Sequence, residues 1–541
     1  MPAHLRTKPR IFCKFSQLSG VMESASLIVY TGVITFVFIY VTKLLAKTSR
    51  NAQLPPGPRG LPLVGNVLDL PRAGEFEAHQ WAKHKDLYGN ISSVTVFRQT
   101  LVIINDAKLA QTILNDRSAK HSSRSKMTFA GEMVGWDKTL SFLPYNGQLR
   151  SHRKKAHLCL KSEASIKTND AIQEIEVGHF LLHLLRDPDR LVEHIQKQAG
   201  SVIVKVVYGY TAEQFKPDPL LITVRKVVNE FGIAAKPGAF MVDLIPILKY
   251  VPEWFPGAVF KSTAKQWRSN LESSVEDPAA FVEYQMANGK DNTSFLSQLL
   301  QKKSLTDEEY SENKWLAASL YAAGADTTVS AITTFFLAMT LFPEAQKKAQ
   351  YEIDEVIGRD RLPTLSDRQS LPYVNAIVKE VLRWHPVGPM CLPHTTSQDD
   401  IVDGHLIPKG AMILPNIWQI CHDPALYHDP LAFRPERFLG PEAETDPGRF
   451  VFGFGRRICP AQAMSDKTLF LNMAQTLAVF DIGEKEGAEM PKAEFTSGVV
   501  SHPKPFETAI KPRSSQTRKL IESIERMHPW QQSDAETLTS L

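Results

Sequence analysis

One cysteine stands in a short segment whose flanking residues suit a reactive thiolate. The segment is Phe452-Gly-Phe-Gly-Arg-Arg-Ile-Cys-Pro-Ala461, with Gly453 and Gly455 before Cys459 and Pro460 after it. Glycine tolerates positive φ and lets the backbone approach a flat ligand, and proline suits the first position of a helix. We therefore predict Cys459 at or beside a helix N-terminus, where unpaired N–H groups favour the thiolate. A thiolate held in this way is an axial ligand for haem iron, whereas a Cys-Pro pair alone would indicate a buried structural cysteine.

The same ten residues match the haem-binding signature of the cytochromes P450, Phe-x-x-Gly-x-Arg-x-Cys-x-Gly. Its defined positions are occupied by Phe452, Gly455, Arg457 and Cys459, while Ala461 replaces the last glycine. The resemblance implies that the cofactor is haem b, iron protoporphyrin IX. It also implies that Cys459 is the axial ligand of the iron and that the other three matched residues bind the cofactor.

A second candidate segment, Ala323-Gly-Ala-Asp-Thr-Thr328, lies within a long apolar run that predicts a helix. Glycine and threonine are costly inside a helix, so a functional role should compensate. The small residues Ala323 and Gly324 would leave a groove against a cofactor, and Thr327 can bond back to a carbonyl one turn earlier. The segment resembles the oxygen-activation motif of P450s, which implies that Asp326 relays protons and Thr327 supplies the hydrogen-bonding alcohol.

A pair of opposite charges lies three residues apart in Glu380-Val-Leu-Arg383, on one face of a predicted helix. Alone, such a pair is most often a solvated surface bridge. Here Phe433-Arg-Pro-Glu-Arg-Phe438 follows about fifty residues later, and this order resembles the Glu-x-x-Arg and Pro-Glu-Arg-Phe elements of P450s. The resemblance implies a structural triad of Glu380, Arg383 and Arg437 that holds the cysteine-bearing loop in place.

Three basic residues are candidates for contacts with the haem carboxylates, namely Arg153, His394 and Arg457. The segment around Arg153 resembles the P450 helix that covers one haem edge. The family usually has a tryptophan four residues before that arginine, but this chain has Leu149, so one carboxylate contact is expected to be missing. A lone histidine such as His394 is otherwise most often an ordinary polar residue.

The elements that would position these residues form a mainly α fold with small β-sheets. Ser92–Phe97 and Thr100–Ile104 predict a β-hairpin, because β-branched and apolar residues flank a polar turn. Apolar residues at three- and four-residue spacing predict helices from 106 to 383, and short strands are expected from 393 to 415. A last strand pair is expected between Phe495 and Phe506. Together with the motif order, these patterns resemble the cytochrome P450 fold.

An uncharged segment precedes this region. No charged residue occurs from Ser24 to Thr42, a length that nearly spans a hydrocarbon core, so a single N-terminal transmembrane helix is predicted. A buried core helix is the alternative. Residues 1–20 contain no Asp or Glu, so a mitochondrial presequence is a further alternative. Initiation at Met22 instead of Met1 would keep Lys43 and the following basic residues in the cytosol.

The predicted organisation has five parts. They are an N-terminal segment (1–23), a transmembrane anchor (24–46), a proline-rich hinge (47–64), a catalytic domain (65–512) and a polar, loosely held C-terminal tail (513–541). The hinge follows from four closely spaced prolines, which suppress helix and extend the chain.

The composition excludes several classes of protein. The chain has 541 residues, and 62 Lys and Arg against 58 Asp and Glu give a net charge of +4, with no basic block that indicates nucleic-acid binding. Five widely spaced cysteines do not form a disulfide framework and favour a reducing compartment. The sequence contains no C-x-x-C, H-E-x-x-H or Walker-type motif.

The motifs together resemble the membrane-anchored P450 monooxygenases of filamentous-fungal secondary metabolism. The resemblance implies a substrate that is hydrophobic and polyketide- or terpenoid-like, O2 as co-substrate, and an NADPH–cytochrome P450 reductase that docks near Arg153–Lys155 and Arg456. It also implies the endoplasmic reticulum membrane, with the catalytic domain in the cytosol. Two alternatives remain: a P450-fold isomerase or dehydratase, against which Asp326 and Thr327 count, and a non-catalytic haem-binding membrane protein.

Overall fold

The computed structural model describes Thr35 and residues 53–541, except for 73, 162, 237, 291–292 and 303. The predicted anchor, apart from Thr35, therefore lies outside the described residues, as do the N-terminal segment and the first part of the hinge. Within the described residues, no single helix combines the length and the apolar composition needed to cross a membrane.

The described residues divide into two units. The large unit comprises Pro55–Val402 and Ile407–Leu541. The small unit includes Leu54 and residues 403–406. In the small unit, the Leu406 amide donates a hydrogen bond to the carbonyl of Gln53 (2.9 Å).

Helices dominate the large unit, as the sequence predicted. In chain order they are α1 (Glu77–Tyr88), α2 (Ala107–Gln111), α3 (Ser118–His121), α4 (Gly147–Lys161), α5 (Glu163–Arg186), α6 (Leu191–Tyr208), α7 (Pro219–Ala234), α8 (Met241–Leu244), α9 (Val259–Ala287), α10 (Phe295–Leu300), α11 (Asp307–Leu341), α12 (Pro343–Val356), α13 (Pro372–Trp384), α14 (Ile417–Cys421), α15 (Gly448–Val451), α16 (Gln462–Val479), α17 (Ser515–Met527) and α18 (Ala535–Thr539). Short 3-10 and π turns connect several of them.

The strands are short, and the predicted hairpin is confirmed. Strands β1 (Ile91–Val96) and β2 (Gln99–Ile104) pair antiparallel, with Ile91 opposite Ile104. β2 runs parallel to β6, and β6 pairs antiparallel with β3, so the sheet order is β1-β2-β6-β3. Strands β7 and β8 pair antiparallel. The strands after β2 are β3 (His394–Thr395), β4 (Asp400–Val402), β5 (His405–Ile407), β6 (Met412–Pro415), β7 (Phe480–Gly483) and β8 (Ala509–Pro512).

Helix α11 carries the second candidate segment. The side chain of Thr306 accepts a hydrogen bond from the Glu309 amide, and the Glu309 carboxylate accepts one from the Thr306 amide, so a capping box fixes the start of the helix. The side chains of 315–321 and 329–340 are buried. Between these two stretches, residues 322–328 are partly buried or exposed, and five of them, Ala323 and 325–328, border cavities.

The expected strand pair between Phe495 and Phe506 is not formed. One isolated bridge joins Phe495 to Pro503. Pro503 and Pro505 have no N–H group to donate to a ladder, and Gly498 turns the chain at a φ of 131°. The segment is therefore a hairpin held by a few hydrogen bonds instead of a pair of strands.

The prediction of a loosely held tail after residue 512 is wrong. Helix α17 lies within this segment, and its Ile521 and Ile524 side chains are buried at 0% and 1% exposure. Helix α5 approaches α17 closely, because a Cβ atom on Gly178 would lie 2.9 Å from the side chain of Ile524. The segment is polar overall because only this one narrow face of α17 is apolar.

Candidate active site

The cysteine-bearing loop is closed by its own backbone. Gly453 and Gly455 adopt the predicted positive φ values, 80° and 51°, and the Cys459 amide donates a hydrogen bond to the carbonyl of Phe452 (2.8 Å). Helix α16 begins only at Gln462, with Ala461 as its N-cap. Pro460 therefore precedes the N-cap and is not the first helical residue. Cys459 lies in the turn before the helix.

The two glycines of this loop have different roles. A Cβ atom on Gly455 would lie 2.1 Å from the carbonyl oxygen of Leu114, and the Gly455 amide donates to Asn115 Oδ1 (2.6 Å). Gly455, which the sequence assigned to cofactor binding, thus packs the loop against the π turn Thr112–Asp116. Gly453, which was not assigned, lines the cavity beside Cys459.

A mainly apolar cavity of about 300 Å³ lies between the cysteine loop and α11. Phe452, Gly453 and Cys459 border it on the loop side. The remaining apolar wall includes Leu149, Ala323, Ala331, Val387, Val499 and Val500. Concave apolar sites with a few polar groups are the usual binding sites for small molecules and cofactors.

The α11 segment contributes Ala323, Thr327 and Thr328 to this cavity. The Thr327 hydroxyl donates a hydrogen bond to the carbonyl of Ala323 (2.8 Å), which is the predicted bond one turn back. The prediction that Gly324 borders a cofactor groove is wrong. A Cβ atom on Gly324 would lie 2.8 Å from the Ile203 side chain, so this glycine allows α11 and α6 to approach each other.

Asp326 does not border the apolar cavity. It lines a second cavity of about 430 Å³, with mostly polar and charged walls, that α6, α7 and α11 enclose. The Asp326 carboxylate lies 3.2 Å from Nε2 of His502. The acid and the alcohol of the motif therefore face two different cavities from adjacent positions of one helix.

Arg153 and Arg457, the two arginines expected to contact the haem carboxylates, border the apolar cavity. Arg153 Nη2 donates to the carbonyl of Ile458 (2.9 Å), and Arg457 Nε donates to the carbonyl of Ser122 (2.7 Å). Neither pairs with a carboxylate among the residues that the structure describes. Burial, with the nearby charges of Arg124 and Arg153, lowers the pKa of Arg457 to about 9.

Arg124 is a third buried arginine at the cavity, and the sequence motifs missed it. Its guanidinium donates to the carbonyls of Ser141 (3.0 Å), Leu392 (2.7 Å) and Pro393 (2.8 Å). Burial lowers its pKa to about 10. Arg124 belongs to no recognisable motif. The sequence around it shows only a basic residue before an apolar stretch, and that pattern does not indicate a functional residue.

His394 is buried, and only one of its two ring nitrogens has a hydrogen-bond partner among the described residues. Its Nδ1 atom lies 2.8 Å from the carbonyl of His121, and its Nε2 atom has no hydrogen-bond partner among the described residues. Burial, and then the charge of Arg124, lower the pKa of His394 well below its ordinary value.

The three residues of the predicted triad meet in the core, with fully buried side chains. Glu380 Oε2 lies 2.7 Å from Arg383 Nε and 3.2 Å from Arg437 Nε. Arg383 also donates to the carbonyls of Pro430 and Ala432. The triad therefore ties the chain around 430 to α13.

The family is decided by comparison with known proteins. The sequence model of the cytochrome P450 family matches residues 55–510. The chain belongs to the cytochrome P450 family.

Fungal P450s are among its relatives. Cytochrome P450 monooxygenase ppsD of Aspergillus oryzae is 44% identical over 90% of this chain and 94% of that protein. Cytochrome P450 monooxygenase 208 of Postia placenta is 47% identical over 88% of this chain and 94% of that protein. O-methylsterigmatocystin oxidoreductase of Aspergillus flavus is 40% identical over 94% of this chain and 97% of that protein. The predicted resemblance to fungal secondary-metabolism P450 monooxygenases is confirmed.

A solved structure agrees on the fold. A zebrafish cytochrome P450 solved with abiraterone superposes with a TM-score of 0.66 at 24% identity, covering 81% of this chain and all of that chain. The P450 fold, mainly helical with small sheets, is thus confirmed.

The described residues of this P450 fit haem, the cofactor of the family. Three buried guanidinium groups, those of Arg124, Arg153 and Arg457, border the cavity without a carboxylate partner in the described part of the chain. Buried charges need compensation, and the two carboxylates of haem would supply it. The Nδ1–H group of the neutral His394 ring donates to the carbonyl of His121, so the unpartnered Nε2 atom is an acceptor and offers no donor to a carboxylate. Leu149 is apolar, so it adds no contact of this kind.

Proposed function

We propose that this P450 inserts one oxygen atom from O2 into a hydrophobic small molecule, a polyketide- or terpenoid-like intermediate of secondary metabolism. The observation that supports it most is the apolar cavity between Cys459 and the Thr327 side of α11. A relative in Aspergillus flavus is named for its action on O-methylsterigmatocystin. The apolar wall formed by Leu149, Val499 and Val500 suits a substrate of similar hydrophobic character.

In this proposal, the described residues first hold the cofactor. The Cys459 thiolate would bind the iron, and the guanidinium groups of Arg124, Arg153 and Arg457 would hold the carboxylates, with the neutral His394 ring close by. Haem supplies the redox chemistry that activates O2. The Glu380 triad keeps the loop after α14 in place and so supports the position of the cysteine segment.

The residues of α11 then control protons and water. The Thr327 hydroxyl would hold a proton at the wall of the apolar cavity, and Asp326 would replace that proton from the polar cavity. The mainly apolar walls would limit the access of other water molecules to the site. The acid–alcohol arrangement is expected of an oxygenase, whereas an isomerase or dehydratase of the same fold would not need it.

Electron supply and location are also part of the proposal. An NADPH–cytochrome P450 reductase would dock on the cysteine side, where Lys154 and Arg456 are exposed, although Arg153 turns inward to the carbonyl of Ile458. We place the protein in the endoplasmic reticulum membrane through residues 24–46, with the catalytic domain in the cytosol. The exposed apolar side chains of Tyr250 and Trp254 support an additional membrane contact.

The test combines ligand spectroscopy with isotope labelling. We expect the reduced wild-type protein under carbon monoxide to show the spectrum of a thiolate-ligated haem. Cys459→Ser should lose this spectrum, and Cys159→Ala, which changes a buried cysteine elsewhere, should keep it. Lipophilic metabolites are then screened for a substrate-induced spin shift, and the product is analysed after turnover under ¹⁸O2.

Three outcomes would contradict the proposal. An unlabelled product would indicate an isomerase or dehydratase. No NADPH consumption and no spin shift with any lipophilic compound would indicate a non-catalytic haem protein. An unchanged spectrum in Cys459→Ser would show that Cys459 is not the ligand.

A further inference from the structure

A single hairpin, residues 495–503, lines the apolar cavity and contacts Asp326 of the polar cavity; we call it the linking hairpin. Val499 and Val500, at its tip, line the apolar cavity next to α11. Two residues further on, His502 contacts Asp326, which lines the polar cavity. The proposed mechanism gives this hairpin no role beyond the cavity wall formed by Val499 and Val500.

The linking hairpin is fixed to α11 one turn beyond this contact. The hydroxyl of Ser330 donates to the backbone carbonyl of Ser501, and the Ser501 side chain is fully buried. Asp326 and Ser330 are four residues apart, so they lie on one face of the helix. The Ser501 hydroxyl in turn donates to the carbonyl of Thr496 (2.6 Å) and lies 2.9 Å from His385 Nε2. The position of the His502 backbone is therefore well determined.

The ring of His502 restrains the carboxylate of Asp326. Its Nε2 atom lies 3.2 Å from Oδ1 and 3.3 Å from Oδ2, so one N–H group faces both oxygens. The Asp326 side chain is 25% exposed and the His502 side chain 29% exposed, so the carboxylate remains open to the polar cavity. A carboxylate held by one N–H group cannot rotate freely, and a proton-transferring group acts efficiently only when it is held in place.

We propose that His502 is a positioning residue that holds the Asp326 carboxylate between the polar cavity and Thr327 for proton supply. This inference rests on the proposed function of Asp326 and Thr327. It goes beyond the acid–alcohol motif, because the partner of the acid comes from the hairpin that also forms the substrate wall. His502 acts through Asp326 and does not itself contact the apolar cavity.

Three substitutions separate hydrogen bonding from packing. In His502→Gln, the side-chain amide nitrogen reaches about as far as Nε2, so a donor to Asp326 is kept. In His502→Asn, the amide ends near the position of Nδ1, too short to reach Asp326. In His502→Phe, the ring shape is kept and the donor is lost. If His502 only fills space, Phe should replace it best. If His502 positions Asp326 through a hydrogen bond, Gln should replace it best.

The activity measurement needs no identified substrate. The full-length holoprotein is mixed with a fungal NADPH–cytochrome P450 reductase, NADPH and O2, and NADPH, O2 and hydrogen peroxide are quantified. Two electrons and two protons convert O2 to hydrogen peroxide, whereas four electrons and four protons convert it to two water molecules. We expect the ratio of water to peroxide to fall roughly tenfold in His502→Phe and His502→Asn, part of the about 100-fold or more that a placed general acid contributes. His502→Gln should stay near wild type.

A second measurement does not depend on turnover. Thermal unfolding of Asp326→Asn, His502→Phe and the double variant forms a double-mutant cycle. We expect the unfolding midpoint of the double variant to match that of the less stable single variant, because one contact is lost in each. Additive losses in midpoint would overturn the contact itself. Thermal unfolding can be measured even for a variant that has no catalytic activity.

The control lies on the flanks of the same hairpin. Lys504→Ala removes the exposed ion pair with Glu494 (2.9 Å) and leaves the Asp326 contact intact, so its water-to-peroxide ratio should equal that of wild type. A wild-type ratio in His502→Phe, or a better ratio in Phe than in Gln, would overturn the proposal. A wild-type protein without NADPH consumption or without a thiolate-type carbon monoxide spectrum would instead contradict the proposed monooxygenase function.

Discussion

Buried arginines dominate the residue-scale electrostatics of the apolar cavity. Arg124, Arg153 and Arg457 approach closely enough for their charges to affect one another, and burial lowers the pKa of each. Hydrogen bonds to backbone carbonyls compensate for only part of the cost of burying a cation. The protein therefore maintains an unfavourable concentration of positive charge that a dianionic ligand relieves.

Arg124→Met should weaken haem retention. The side chain donates three hydrogen bonds near the cavity, and a hydrogen bond to a charged group contributes about 1.5–3 kcal/mol, so we expect roughly tenfold to hundredfold faster haem loss. The measurement is the rate of haem transfer to apomyoglobin. Arg117→Met is the matched control, because Arg117 pairs with Asp400 and is 39% exposed. Equal transfer rates in the two variants would exclude Arg124 from cofactor binding.

A second residue-scale prediction concerns Glu176 on α5. Burial raises the pKa of this carboxyl to about 7, and Lys205 opposes the shift only in part. Because the folded-state pKa lies above the ordinary value of 4.5, the folded protein holds a proton that the unfolded chain releases. The stability from this group is fully present below about pH 4.5 and is lost as the pH rises through 7.

Glu176→Gln removes this dependence, because an amide does not titrate. We expect the variant to lose less stability than wild type between pH 6 and about pH 8, as measured by urea unfolding at each pH. Glu174→Gln, which removes a carboxylate from the same helix, serves as the control. Parallel pH profiles in wild type and Glu176→Gln would show that Glu176 is not protonated in the folded protein near neutrality.

Sequence reasoning at this scale depended on motifs. Cys459 and Arg457 belong to one recognisable segment and Thr327 to another, and all three lie at the cavity. Arg124 was missed because it reaches the cavity only through the tertiary fold. The contact of Asp326 with His502 joins residues 176 positions apart, and no local pattern contains that information.

At the scale of elements, the triad joins α13 to the chain around 430, and its buried charges have no access to water. Glu380→Gln leaves Arg383 without a counter-ion and Arg437 with only the partly exposed Glu444, which should cost about 3–5 kcal/mol. We expect this variant to be recovered with little haem, measured as the ratio of Soret to protein absorbance. Glu344→Gln removes the exposed pair of Glu344 with Lys347 and should leave both stability and haem content unchanged. Normal haem content in Glu380→Gln would contradict a supporting role of the triad.

Elements with a strong internal pattern were predicted correctly. The β1–β2 hairpin follows from apolar, β-branched runs around a polar turn, and α11 follows from its continuous apolar composition. Helix α17 was mistaken for a loose tail, because its apolar face is narrow and the rest of the segment is polar. Its stability comes from burial against α5, which a single polar segment does not reveal.

At the scale of the whole molecule, the order of the motifs along the chain was enough to indicate the P450 fold. The fold then determines which motif residues share a cavity, and this arrangement depends on how α6, α11 and the linking hairpin pack. The sequence did not show that Thr327 borders an apolar cavity and that the adjacent residue Asp326 borders a polar one. This difference arises because adjacent positions of a helix point about 100° apart.

The proposed membrane contact is also a property of the whole molecule. Four large apolar side chains between α8 and the start of α9 are more than 70% exposed, namely Ile247, Tyr250, Trp254 and Val259. Exposure of these apolar side chains to water is unfavourable, whereas a lipid interface would bury them.

We expect a chain that begins at Lys47, without the predicted anchor, still to bind phosphatidylcholine vesicles. Trp254→Glu should weaken this binding roughly tenfold, since burying one large apolar side chain contributes about 1.5–3 kcal/mol. Vesicle flotation measures the bound fraction, and Tyr351→Glu, which changes an aromatic residue on α12 that is 68% exposed, controls for added charge. If both variants bind as the parent chain does, residues 247–259 make no membrane contact and the anchor alone would hold the protein at the bilayer.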